Sequence, residues 1–397
     1  MGRPSAFSSS FVSYSLAWAA QVAMTIFLQV YLYSRGLSVV QVGVIGGLNG
    51  GALAAFQIEA GGIADKIAGK RNYLVLVSVI GRGFLILAMA YLYSFPLECV
   101  WATLYGTATA PFLPTTMAMV SDEGKGEETG KNMGKFRMAG SIGWTVGNLA
   151  FGWIALISIK LAFIMAAALN FSAALPMVLH QDKPKLPKRA EKAHKKNLTR
   201  AFAYFLASVF LISLTTGAGN QFLPVYLHEI GASTFIVGAV IASGSAAEIP
   251  FMYLGGGLSD RIGDKVMMIS GSIIFSIIYL LYSVISVPTP FLFVQAGRGA
   301  AYAFYHSSSM AFTQRGDEAK RGTYAGWFNS SANAGIMAGS FAGGFIASAV
   351  GFKGLFLALS ITALCSISLL MIMESRSQGL FHVVSRPTQG MILVRPA

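Results

Sequence analysis

Long, mostly apolar runs broken by short polar loops are the dominant pattern of this chain. A helix needs about 20 mostly apolar residues to cross a bilayer, and that length laid along the sequence picks out twelve runs. Six lie near 8–34, 39–60, 73–94, 96–121, 134–157 and 159–180, and six more near 201–227, 232–255, 266–286, 288–313, 322–349 and 351–374. The hydrophilic stretch QDKPKLPKRAEKAHKKNLTR, residues 181–200, divides the two sets. The pattern predicts an all-α membrane protein of twelve transmembrane helices. Its expected parts are an N-terminal six-helix bundle (1–180), a basic cytoplasmic linker (181–200), a C-terminal six-helix bundle (201–374) and a cytoplasmic tail (375–397).

Composition agrees with lipid as the solvent. A chain of 397 residues that is 54% hydrophobic and 11% charged, with a mean hydropathy of +0.61, carries more apolar surface than a soluble core can bury. The net charge of +13 raises the question of nucleic acid, but the basic residues sit between apolar runs and are not interleaved with aromatics, so no such partner is expected. With both termini in the cytoplasm, only Arg35, Lys160 and Lys353 fall on outer loops, which by the positive-inside rule predicts a multi-pass protein of the cell membrane with N- and C-termini inside. Cys99 and Cys365 lie in opposite halves with no CxxC or Cys/His spacing, and read as apolar filler; no metal or cofactor is expected. MGRPSAFSSS lacks a cleavage site, so the first run is expected to stay as a helix. The sequon at Asn197 falls on the cytoplasmic side and is discounted.

The two sets of runs are copies. A shift of 195 residues aligns FLQVYLYSRGLSVVQVG (27–43) with FLPVYLHEIGASTFIVG (222–238), and GGIADKIAGK (61–70) with GGLSDRIGDK (256–265), placing Asp65 on Asp260 and Lys70 on Lys265. A shift of 192 superposes Gly143, Gly147 and Gly152 on Gly335, Gly339 and Gly344. Shared hydrophobicity alone would not keep turns and glycines in register, so duplication is the reading. Six helices per copy gives both halves the same orientation, with a solute cavity between them. Glycines every four residues suit either sliding or static close packing.

At GGIADKIAGKR and GGLSDRIGDK the chain resembles the major facilitator superfamily, whose hallmark is Gly-x-x-x-Asp-Arg/Lys-x-Gly-Arg/Lys-Arg/Lys between the second and third helices. The resemblance covers nearly the whole chain and implies the two-bundle fold and solute transport. It implies a conformational latch at Asp65, Lys66, Lys70 and Arg71, and at Asp260 and Arg261 in the second copy; the alternative is ordinary charged loop residues. Ala68 stands where the motif's second glycine belongs, and Asp264 where a base is usual. The segment GKFRMAGSIGW (134–144) is similar to the start of the fifth helix in the lactose permease-like proton symporters. That similarity implies solute contacts for Arg137 and Trp144, which are seven residues, about two turns, apart and share a face. Snorkelling at the loop edge is the other role open to Arg137.

Charges at bilayer depth are costly and so mark function by default. Glu248 in the eighth run, with Arg298 and His306 in the tenth, is expected to carry the coupling proton, Arg298 stabilising its ionised form and His306 lying near the path. A permanent Glu248–Arg298 pair joining two helices is the alternative. Arg82 in the third run has no evident partner, since Glu59 should sit nearer the cytoplasmic face. A polar stripe, Tyr14, Trp18, Gln21, Thr25 and Gln29, runs down the first helix, and the repeat sets Thr216 and Asn220 opposite Gln21 and Thr25. Solute lining is expected of Gln21, Thr25, Thr216 and Asn220. Pro111, Pro114 and Pro224 are candidate hinges.

Neither a phosphate-cradling loop nor an HExxH helix occurs, which argues against a pump and a membrane protease. The expectation is a monomeric, non-enzymatic secondary transporter that takes up a small organic solute with protons. A proton-coupled exporter and a transport-dead sensor are the rivals.

Overall fold

The computed structural model describes residues 6–67, 69–123, 127–180, 199–314 and 321–375. Every regular element among them is helical. The first helix is α1 (Ala6–Val22), a π-helical turn (Ala23–Phe27) and α2 (Leu28–Ser34) in one continuous rod. It is followed by α3 (Val39–Lys66), α4 (Arg71–Met89), α5 (Phe95–Thr109), α6 (Phe112–Glu123), α7 (Glu127–Ile157), α8 (Ile159–Ser172) and α9 (Leu175–Leu179). The second half holds α10 (Arg200–Glu229), α11 (Thr234–Ile262), α12 (Asp264–Val284), α13 (Phe291–Gln314) and α14 (Arg321–Ser375).

Nine of the described helices are long and apolar enough to cross a membrane, against the twelve runs of the sequence reading. The difference has a chemical cause at each place. The fourth run breaks at Ala110 and Pro111 into α5 and α6, because proline cannot donate into the helical ladder. The tenth, α13, carries Arg298 and several polar residues. The last two runs join into α14, whose Gly351 takes φ +74° and splits it into two rods.

The duplication extends to the turns. Gly36 and Gly231 both adopt the left-handed region, at φ +91° and +88°, where a glycine pays no Cβ penalty. Two residues on in each copy a serine caps the next helix, Ser38 accepting from the Gln41 amide at 3.2 Å and Ser233 from the Ile236 amide at 3.3 Å.

Helix pairs correspond in the same way. Inside the first half α1 packs on α7, α3 on α5 and α4 on α8; inside the second α10 packs on α14, α11 on α13 and α12 on α14. The halves meet through α3 against α14 and α7 against α11. The glycine triplets set both kinds of contact. A Cβ at Gly143 would lie 2.2 Å from the Ser15 carbonyl oxygen and one at Gly147 2.7 Å from that of Ala19. In the second half Gly335 stands 2.4 Å from the Phe210 oxygen and Gly339 2.1 Å from that of Leu214, the residues that the 195-residue shift pairs with Ser15 and Ala19. The third glycine of each triplet works between halves: Gly344 meets Gly43, and Gly152 meets Gly238, each Cβ position lying 3.3 Å or less from the opposite Cα. The first two therefore pack closely against a neighbour within a half.

Candidate functional site

The end that carries the turns at Gly36 and Gly231 is termed the outer end here, following the orientation expected from the basic loops. The halves are joined firmly there. Gln221 donates to Gln29 Oε1 at 2.7 Å and to the Val42 carbonyl at 2.9 Å, Tyr33 donates to Glu229 at 2.9 Å, and Ser34 lies 3.1 Å from His228 Nε2. Nearby, Arg35 pairs with Glu98 at 2.6 Å and lies over the Tyr31 and Tyr93 rings. Glu98 is fully buried in the first turn of α5, beside Pro96, and was not singled out from sequence. Farther along the same seam, Asn333 donates to Gln57 at 3.1 Å.

Deeper in, the first and seventh helices present a small open face. From Ala19 to Leu32 every residue is buried except Gln21 and Thr25, and from Thr215 to Leu227 every residue is buried except Asn220. Helices enclosed on all other sides and open only at amides and a hydroxyl line accessible space between the halves, not lipid. Gln21, Thr25 and Asn220, three of the residues singled out from the repeat, are thus the partly exposed ones on these two stretches. Thr216 is not: it is buried and donates to the Ile212 carbonyl one turn back at 3.0 Å. One helical turn separates it from Asn220, and the wall closes within that turn. Trp144 is half-buried and meets Trp18 edge-on at 5.4 Å, so it joins the same face. The side chain of Arg137 lies outside the described residues.

Behind Gln21 sits Arg82. The α4 helix has two faces: Tyr73, Val77, Ile80 and Phe84 are 40–69% exposed, while Val75, Val79, Arg82, Ile86 and Met89 are buried. The apolar stripe suits lipid, and it turns Arg82 into the bundle, where the residue is 2% exposed. Arg82 Nη2 donates to Gln21 Oε1 at 2.5 Å and to the Ala17 carbonyl at 3.3 Å. Tyr105 donates to the same Gln21 oxygen at 2.7 Å, and the guanidinium lies 5.2 Å from the Phe112 ring centre. Glu59, the acid considered from sequence, is exposed. Tyr105 was not anticipated; a lone phenol in an apolar run was its only signal.

In the second half Arg298 Nη2 stands 3.4 Å from Glu248 Oε1, with side chains 8% and 16% exposed. The two residues come from α13 and α11, so the pair joins two helices while Glu248 keeps some access. His306, two turns along α13, stacks on Tyr302 at 5.0 Å and reaches Phe328 of α14. The latch residues divide. Lys66, Lys70 and Arg261 are exposed; Arg71 is buried and donates through Nε to the Ala64 carbonyl at 2.9 Å, tying α4 to the end of α3. The side chains of Asp65 and Asp260 lie outside the described residues. Asp264, the departure from the motif, begins α12 and accepts from Ser259 Oγ, where a carboxylate favours the helix N-terminus.

The chain matches the Major Facilitator Superfamily over residues 6–316 and 205–387. It belongs to that superfamily, a class of multi-pass membrane transporters and not of enzymes. Among relatives it is 27% identical over 255 residues to the uncharacterized transporter YwbF of Bacillus subtilis (strain 168), covering 62% of each chain. It is 26% identical over 160 residues to maltose permease of Geobacillus stearothermophilus, covering 39% of this chain and 41% of that one. It is 25% identical over 193 residues to multidrug resistance protein MdtG of Citrobacter koseri, covering 46% of each. These matches span less than two thirds of each relative's length. Among solved structures, a mutant of the nucleoside transporter NupG superposes with a TM-score of 0.79 at 16% identity, covering 93% of this chain and 99% of that one. A bacterial homologue of the human lysosomal transporter Spinster, inward-facing and occupied, gives 0.78 at 14% identity over 93% and 96%. At such identities the likeness is one of fold.

Proposed function

We propose that the protein is a secondary transporter that moves a small organic solute by alternating access and takes it up together with protons. The observation that carries this reading is the Glu248–Arg298 pair: a carboxylate at membrane depth, held 3.4 Å from a guanidinium and still partly exposed. Protonation of Glu248 would release Arg298, and a group that binds and frees a proton between two helices can couple a gradient to their movement. His306 lies along the same helix, on the proton's path. Gln21, Thr25, Asn220 and Trp144 line the solute's route, with Arg137 at its edge.

In this reading the halves are residues 1–180 and 201–374, joined by the 181–200 linker and followed by the 375–397 tail, with both termini cytoplasmic in the cell membrane and the protein a monomer. Among the described residues most polar contacts between the halves lie at the end termed outer, and in this reading the state is one closed to the outside. Asp65, Lys66, Lys70, Arg71, Asp260 and Arg261 would latch the inner ends in the opposite state.

The test is accumulation in proteoliposomes under an imposed pH gradient, with sugars, nucleosides and aromatic acids as the panel. Wild type is expected to accumulate a solute uphill, while Glu248→Gln keeps exchange of that solute across the membrane and loses the pH-driven component. Persistence of pH-driven uptake in Glu248→Gln would remove the coupling role. Extrusion by correctly oriented protein would establish the second reading, an exporter, which the similarity to MdtG favours.

A further inference from the structure

Arg82 is a buried cation whose surroundings do not answer its charge. Arg35 pairs with Glu98 and the buried Arg298 with Glu248; among the described residues no carboxylate pairs with Arg82. A guanidinium cannot escape the cost of burial by losing its proton, as a lysine can. What it has instead is one amide oxygen, one backbone carbonyl and the faces of two rings, and its Nε has no hydrogen-bond partner. Gln21 Oε1 is shared, since it also accepts from Tyr105 at 2.7 Å. A single neutral oxygen thus sits between two strong donors, and the residue that supplies it is half-buried on the open face of the first helix.

We propose that Arg82 and Tyr105 form an anion subsite for which the Gln21 amide oxygen is a neutral stand-in, and that the transported solute is a small organic monocarboxylate. Its carboxylate displaces Gln21 Oε1, takes one hydrogen bond from the Arg82 fork and one from the Tyr105 hydroxyl, and brings the counter-charge that the fold omits. Charge count selects the class. One unanswered cation is neutralised by one negative charge, whereas a phosphate monoester dianion would leave a negative charge uncompensated among apolar neighbours. Gln21, released from the arginine, is free to turn toward the rest of the solute. The inference rests on the transporter reading above and narrows its solute to an acid.

The probes are a panel of aromatic and aliphatic monocarboxylates, each with its primary amide, and phenyl phosphate. Binding is read as thermal stabilisation of the full-length protein in detergent, and transport as accumulation in proteoliposomes. At least one acid is expected to stabilise wild type while its amide does not. Its affinity should fall by at least about 30-fold in Arg82→Met and roughly tenfold in Tyr105→Phe, with part of the Arg82 loss recovered in Arg82→Lys, which keeps charge but not the fork. Unliganded melting temperatures establish that each variant folds; if Arg82→Met does not, Tyr105→Phe and Arg82→Lys decide alone. A panel in which no acid outdoes its amide overturns the proposal, as does phenyl phosphate outdoing every carboxylate, or an acid that binds the variants as well as wild type. Accumulation of neutral solutes alone would sink the anion subsite and leave the transporter standing. Arg82-dependent acid binding without accumulation of any solute would do the reverse.

Discussion

Arg82 and Arg298 are both buried at membrane depth, one in each half, yet one faces a carboxylate and the other does not. They are not repeat mates: at the 195-residue shift Arg82 falls on Ile277, and at the shift of 193 that aligns TTMAMV (115–120) with SSMAFT (308–313) Arg298 falls on Tyr105. The 195-residue shift keeps the turn glycines, the serine caps and the carbonyls against which the helix glycines pack. Duplication therefore preserved the frame, and each half then carries a charge the other lacks. The lesson is energetic. On the two proposals above, the cation paired within the fold would serve a proton site and the cation left without an internal counter-charge would serve an incoming anion.

The sharpest way to break this contrast is to remove each cation in turn and follow thermal unfolding of the purified protein in detergent. Arg298→Met strands Glu248 without a partner and should destabilise by about 3–5 kcal/mol. Arg82→Met strands no carboxylate and leaves Gln21 bonded to Tyr105, so its stability should match or exceed wild type. Equal losses in the two variants would erase the distinction.

The frame common to both halves can be probed at the seams. Gly238→Ala drives a methyl to 2.2 Å from the Asn148 carbonyl, and Gly43→Ala drives one to 2.8 Å from that of Ser340. Both should cost about 1–3 kcal/mol through overpacking, Gly238→Ala the more, and the double variant should be close to additive because the sites lie on separate seams. A variant of either kind that melts like wild type would show that the seams yield freely. The smallest effect is expected at Thr216→Val. That hydroxyl turns to its own backbone, so stability should shift by less than about 1 kcal/mol and solute affinity should stay constant, whereas Asn220→Ala should weaken solute binding severalfold in the same assay.

Much of the frame could be read from the chain because it is governed by local or periodic chemistry. Apolar run length marks helices, glycine marks the left-handed turns at Gly36 and Gly231, and two near-constant shifts expose the duplication. The partial exposure of Gln21, Thr25 and Asn220 follows the same periodicity, apart from Thr216, where burial depends on how closely one turn of α10 is covered. Tertiary partners were not legible. Nothing near position 82 in sequence announces Gln21 or Tyr105, which come from other helices, and nothing near Glu98 announces Arg35, 63 residues away. The seam is a further case: Gly143, Gly147 and Gly152 follow at steps of four and five residues, and nothing in that spacing says that the first two serve one neighbour and the third another.

The Gly43–Gly344 and Gly152–Gly238 crossings lie close to one end of long rods. From Gly43 to Lys66 the α3 helix runs about 35 Å beyond its crossing. In the alternating-access reading such a crossing would serve as the fulcrum of an uneven lever: a tilt of about 10° that barely moves atoms at the glycines would sweep the far tip through about 6 Å, once the Gln57–Asn333 bond farther along is released. With no side chains at the fulcrum, little packing would be lost where the rods touch while a wide mouth opened or shut at their distant ends.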